Sequence, residues 1–184
     1  GGWMLIFSYN REMGENKGVN EGTIPTSTSA GYSHIDLNSM QGFERSDIQA
    51  VRFYCVTSRH EQTVHFKTKD ATVMDIAWDG DLTGNDGSPW RRGFTALPGH
   101  TAALPEFAGG AESSGDGGFA SLPFYSANGS YRWAVGENGN YDCDDKESGF
   151  NVSTRHLVFA RMGLSTPNPT SYPTSSPSLV PTKP

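Results

Sequence analysis

Between Trp3 and Tyr9 only Ser8 interrupts an apolar run (WMLIFSY). Uninterrupted alternation sets Trp3, Leu5, Phe7 and Tyr9 on one face and Met4 and Ile6 on the other, which predicts a strand covered on both sides in the middle of a sheet. Ile48 to Val56 (IQAVRFYCV) alternates Val51, Phe53 and Cys55 with more polar neighbours, and Thr63 to Thr68 (TVHFKT) alternates Val64 and Phe66 with His65 and Lys67. Joined through Thr57 to Gln62, these two runs predict a hairpin. His156 to Met162 (HLVFARM) predicts a last strand. Gly109 to Gly118 and most of Asp79 to Pro89 are rich in Gly, Ser and Asp and predict loop. Helix is scarce: Asn38 to Ile48 leaves room for one short turn near Ser46, capped by its hydroxyl.

The periodicity ends at Met162. From Gly163 to Pro184 the chain holds six Pro, five Ser and four Thr, with Pro169, Pro173, Pro177 and Pro181 evenly spaced. Lacking backbone donors and apolar bulk, this tail favours extended polyproline II, which at about 3.1 Å per residue spans roughly 68 Å. The predicted organisation is one globular domain over 1–162, strand-dominated and of mixed α+β class, followed by an extended tail over 163–184. A domain of that size buries about 70% of the surface its unfolded chain exposes.

Charge removes some partners from the picture. Fourteen Lys and Arg against twenty Asp and Glu give a net charge of −6, with both signs scattered. That predicts neither a nucleic-acid footprint nor insertion in a membrane, and no apolar run reaches the ~20 residues needed to span one. The chain opens at Gly1 without a signal peptide, as expected of a mature or partial product. Cys55 and Cys143 are either two buried thiols or a bridge closing a loop of about 88 residues, for which chain entropy gives over ~4 kcal/mol. With the tail and the glycosylation sequons, they favour a secreted, oxidising setting.

Three pieces of the chain share a pattern: the opening Gly1-Gly2-Trp3-Met4-Leu5, the strand Asp47 to Cys55 followed by Val64 to Thr68, and the closing His156 to Arg161. Together they resemble fibrinogen-like domains and their intelectin relatives. The resemblance implies a mixed sheet with few helices, in which the Gly-Gly-Trp segment begins a central strand and the final strand pairs near it. It also implies an extracellular recognition or assembly module, and many such domains bind calcium and sugars. The family's late Asp-x-Asp-Asn-Asp calcium segment has no counterpart here.

For calcium the candidate ligands are Asp79, Asp81, Thr83 and Asn85, spaced like the alternate oxygen ligands of an EF-hand loop with Gly84 at the sixth place; the twelfth place is Trp90 rather than a bidentate Glu. The alternative is a solvated acidic turn. Asn138 to Glu147 is a second acidic cluster. His60-Glu61 to His65 mimics a zinc motif, but its histidines lie five apart on strand positions of opposite face. Neither a nucleophile elbow nor a phosphate loop occurs in the sequence, so an enzyme is not expected.

Asn128 and Asn151 head N-glycosylation sequons. Thr166, Thr170, Thr174, Ser175 and Ser176 are candidate O-glycosylation sites in the tail. Phe119, Phe124, Tyr125, Tyr131 and Trp133 form either a sugar platform or core. Ordering the tail costs about 1–2 kcal/mol per residue, which its own contacts cannot offset. A neighbouring copy gripping Tyr172, Leu179 and Val180, head to tail, is one source of the difference and a glycan coat is another. The sequence thus favours an extracellular structural glycoprotein, a subunit of a filament, hair or matrix whose partners are copies of itself. A calcium-dependent lectin on a glycosylated stalk, with a carbohydrate ligand, is the alternative.

Overall fold

The computed structural model describes residues 2–14, 32–79, 90–91, 93–104, 107–108, 133, 135, 143–144 and 151–163. In chain order the elements are β1 (Trp3–Arg11), β2 (Tyr32–His34), two 3-10 turns at Leu37–Ser39 and Arg45–Asp47, β3 (Ile48–Thr57) and β4 (Thr63–Thr68). There follow α1 (Ala71–Asp79), β5 (Trp90–Arg91), β6 (Phe94–Ala96), β7 (Phe107–Ala108) and β8 (Thr154–Met162). Six strands form one sheet in the order β2-β1-β8-β3-β4-β6, and β5 pairs with β7 in a separate ribbon. Among the described residues every pairing is antiparallel, and strands dominate with very little helix.

The hairpin predicted from Ile48 to Thr68 is present as β3 and β4, with Phe53 opposite Phe66 and Cys55 opposite Val64. The last strand starts at Thr154, two residues earlier than its apolar pattern suggests, and pairs with both β1 and β3. It therefore lies in the middle of the sheet. The opening strand is interior as well, paired with β8 on one side and with the three-residue β2 on the other.

Its face assignment changes. Leu5 sits opposite Phe159 and Phe7 opposite Val158, so Ile6 is an extra residue, a β-bulge. Trp3 and Leu5 consequently share a face with Phe159, while Phe7 and Tyr9 lie on the other with Val158 and His156. Ile6, Phe7, Ser8 and Tyr9 are all buried in succession, so both faces of the strand are covered there.

One face of the sheet carries the core. Phe53, Phe66, Cys55, Val64, Val158 and Ala160 meet Leu37 and the apolar side of α1. That side is Val73, Ile76 and Ala77, at the i, i+3, i+4 spacing of a helix stripe, all fully buried. The Asp70 carboxylate accepts the Val73 N–H at 3.2 Å and so caps the helix. The sequence reading had no helix here, although an Asp cap followed by that spacing was the available signal. Near Ser46 there is a 3-10 turn, but its hydroxyl does not cap it: the Asp47 carboxylate accepts the Glu44 N–H at 2.9 Å, and Ser46 reaches only the Glu44 carboxylate.

Cys55 and Cys143 are disulfide-bonded, with Cα atoms 5.9 Å apart and 88 residues between them. Trp133 pairs with Cys143 through an isolated antiparallel bridge. The link pins this segment onto the inner face beneath β3.

Candidate binding face

Each strand of a sheet shows alternate residues to its two sides. Here the core takes Phe53 and Cys55 from β3 and Val158 and Ala160 from β8. The same strands must then present Arg52 and Tyr54, and Arg155, Leu157, Phe159 and Arg161, to the opposite side. From β4 the register adds His65 opposite Tyr54 and Lys67 opposite Arg52. No outer position of β1, β8, β3 or β4 carries a carboxylate. In a chain of net charge −6 this is a local reversal of sign.

The outer face is uneven: Leu157 and, opposite it, Ser8 are buried, Arg52, Tyr54, His65, Lys67 and Phe159 are half-buried, and Arg161 is exposed. Arg52 lies flat between two rings, its guanidinium carbon 3.8 Å from the centre of Phe159 and 5.0 Å from that of Trp3. Such stacking holds a guanidinium in place without neutralising it. Burial lowers the Arg52 pKa from its ordinary value, the direction expected for a cation short of water. The Nε atoms of Arg52 and Arg155 are closed off from water and donate no hydrogen bond.

Two depressions lie on this face. One, of about 240 Å³, is lined by Arg52, Tyr54, His65, Arg155, Leu157 and Phe159. The other, of about 460 Å³, is lined by Gln49, Ala50, Lys67, Lys69 and Arg161. His65 has a fixed tautomer: its Nδ1 sits 2.7 Å from the Pro98 carbonyl, which can only accept, so Nδ1 carries the proton. Its ring also meets Tyr54 edge-on at 5.6 Å.

The sites expected from sequence fare unequally. Of the calcium candidates only Asp79 is described, exposed at the last residue of α1; Asp81, Thr83 and Asn85 lie outside the described residues. Asp79 does act on a neighbour: burial first, and the Asp79 charge second, raise the Asp36 pKa. In the second acidic cluster Asp144 is buried with a positive φ of 64°, whereas Asn138, Asn140, Asp142, Asp145 and Glu147 are not described. Among the described residues the one grouping with metal-ligand spacing is Cys55, Cys143 and His156. Its sulfurs are bonded to each other, so it offers no thiolate to an ion.

His60 lies in the turn after β3 and His65 on β4, and they form no such grouping. Trp133 is not part of a sugar platform: it is fully buried, edge-on to Phe53 at 5.4 Å and to His156 at 4.6 Å. Phe119, Phe124, Tyr125 and Tyr131 lie outside the described residues, as do Asn128, Thr166, Thr170, Thr174, Ser175 and Ser176 and the tail anchors Tyr172, Leu179 and Val180. Asn151 is exposed in the turn before β8. The outer face escaped the sequence reading, although Arg155, Leu157, Phe159 and Arg161 keep the period of two that marks it. Comparison with family models, with curated proteins and with solved structures returned no match.

Proposed function

We propose that this protein is an extracellular, non-enzymatic structural glycoprotein: a sheet domain that makes contacts across its open face, carried on a glycosylated, extended tail. The observation that carries this reading is the pairing of a disulfide-stapled inner face with an outer face that presents charge and aromatic rings to solvent. A stapled sheet suits an oxidising compartment, where a bridge resists reduction. A broad, shallow face suits contact with another large molecule better than it suits turnover of a small one. Kinship with fibrinogen-like domains is part of the proposal and rests on the Gly1-Gly2-Trp3 opening and the strand motifs that follow it.

In this reading the protein is a subunit of a filament, hair or matrix, and the tail joins copies through Tyr172, Leu179 and Val180. An interface between a tail and the next domain is head-to-tail, and when the rotation between copies does not close a ring it propagates as a fibre. Deleting residues 163–184 is expected to leave a folded monomer that no longer polymerises, read by electron microscopy and sedimentation. Filaments formed by the truncated protein, or a full-length protein that stays monomeric at high concentration, would overturn the reading. Intact mass is expected to exceed the bare 19.9 kDa of the chain because of glycans on Asn151 and the tail.

A further inference from the structure

We propose that the outer face of the sheet is a docking surface for an acidic polysaccharide, a sugar chain bearing carboxylate or sulfate groups. Charge is the first argument. Arg155 and Arg161 stand six residues apart on β8, about 20 Å along the strand, with Arg52 and Lys67 beside them on β3 and β4. Lys69 joins Lys67 and Arg161 around the second depression. None of these five cations has an ion-pair partner among the described residues.

A second argument comes from the register. Arg52 and Lys67 are direct cross-strand partners. Like charges in that position destabilise a sheet, and an alternating sequence has no need of them. A bound polyanion reverses the sign of that interaction. Local rules broken without structural benefit are expected where a surface serves binding.

Shape and chemistry then select among polyanions. The rings of Trp3, Tyr54 and Phe159 are half-buried on this face, and aromatic surface not covered by Arg52 can meet the C–H side of a sugar ring. A bilayer would need protruding apolar anchors, but the large apolar side chains exposed among the described residues are Met13 and Leu104, neither of them on this face. Duplex DNA is read by a helix or ribbon entering a groove, and an open sheet face presents neither. Both depressions are lined from β3, β4 and β8, which fits an extended chain lying across strands rather than a single enclosed group.

The proposal rests on the reading of this domain as an extracellular contact module, yet binding is measured in solution and assembly by microscopy, so the two fail separately. Full-length protein is titrated with dextran sulfate, polygalacturonate and neutral dextran by calorimetry, over a range of salt and with or without a chelator. Both acidic polymers are expected to bind, neutral dextran not to, and the chelator to change nothing. Sulfate against carboxylate is decided by which polymer binds more tightly. A variant carrying Lys67→Gln, Lys69→Gln, Arg155→Gln and Arg161→Gln is expected to weaken binding by about tenfold or more, and to flatten the slope of log affinity against log salt in proportion to the cations removed. Arg45→Gln, which removes a described cation paired with Asp75 of α1, is expected to leave both quantities nearly unchanged. Should the fourfold variant not fold, Lys67→Gln with Arg161→Gln gives the same reading at half the slope change. Equal binding by the variant and the parent would overturn the proposal. So would loss of binding on chelation, or tighter binding of duplex DNA, anionic vesicles or polyglutamate than of either polysaccharide.

Discussion

The two faces of the sheet are built from the same strands and obey opposite rules. On the inner face Phe53 stacks on Phe66 at 5.3 Å and meets Trp133 edge-on at 5.4 Å, with the disulfide beside them. Even its buried cation is satisfied, since Arg11 donates to the Val152 carbonyl. On the outer face the rings are spread apart, the cations lack counterions among the described residues, and one like-charged pair is held directly across two strands. Stability is thus concentrated on one side of a layer a single residue thick. Around the buried Leu157 and Ser8, the other side carries a like-charged pair that costs stability.

That contrast can be broken most severely from the inside. Phe53→Ala is expected to cost about 3–5 kcal/mol in urea unfolding, whereas Phe159→Ala, its neighbour on the other face, is expected to cost only about 1 kcal/mol, chiefly the lost Arg52 stacking. Equal losses would mean that the outer face is packed as tightly as the core. Next in size is the staple: replacing Cys55 and Cys143 together by Ser should lower stability by about 2–5 kcal/mol while keeping the far-ultraviolet spectrum of a sheet. Smaller and opposite in sign, Lys67→Gln should stabilise by about 0.2–1 kcal/mol at low ionic strength by relieving Arg52, and the gain should shrink in high salt.

Two titrations sharpen the picture at the margin of the core. His100 accepts the His65 N–H at 2.9 Å, and burial first, then the His65 charge, lower its pKa below 6.5. Its contribution is therefore present above 6.5 and lost as pH falls through the lower folded value. Asp36 runs the other way. Its folded pKa is raised above 3.8, so its contribution is present below 3.8 and lost as pH rises through the folded value. Asp36→Asn is expected to raise the melting temperature slightly at neutral pH and not below pH 3.8. Removing His100 should flatten the loss of stability between pH 6.5 and more acidic values.

The parts of the fold visible in the sequence are those where one period holds without interruption. β4 and β3 from Val51 onward keep strict alternation, β8 departs from it only where His156, Leu157 and Val158 are buried in succession, and the Cys55 thiol falls on the apolar side of its strand, where a bridge can form. Reading β1 failed at Ile6, because a bulge adds one residue with no change in composition, and every residue beyond it changes face. α1 was missed since nine residues with two Asp and a Trp have little bulk to announce a helix; tertiary burial of Val73, Ile76 and Ala77 supplies what propensity does not. The outer face was half legible. Its charges alternate correctly within β8 and within the hairpin, but only the register between strands about 100 residues apart brings Arg52 beside Phe159.

The antiparallel register of β1 and β8 also decides how the domain takes a mechanical load. Trp3 stands opposite Arg161, so a chain entering at Trp3 and leaving at Met162 does both at the same end of the sheet. Tension between those two points pulls perpendicular to the strands and opens the ladder one rung at a time, beginning at Trp3 and Arg161. The domain would yield at low force, like a zip, and the first residues freed would be Trp3, the ring on which Arg52 lies, and the exposed cation Arg161. Stretching the chain would therefore dismantle the cationic face before it reached the disulfide-bonded core.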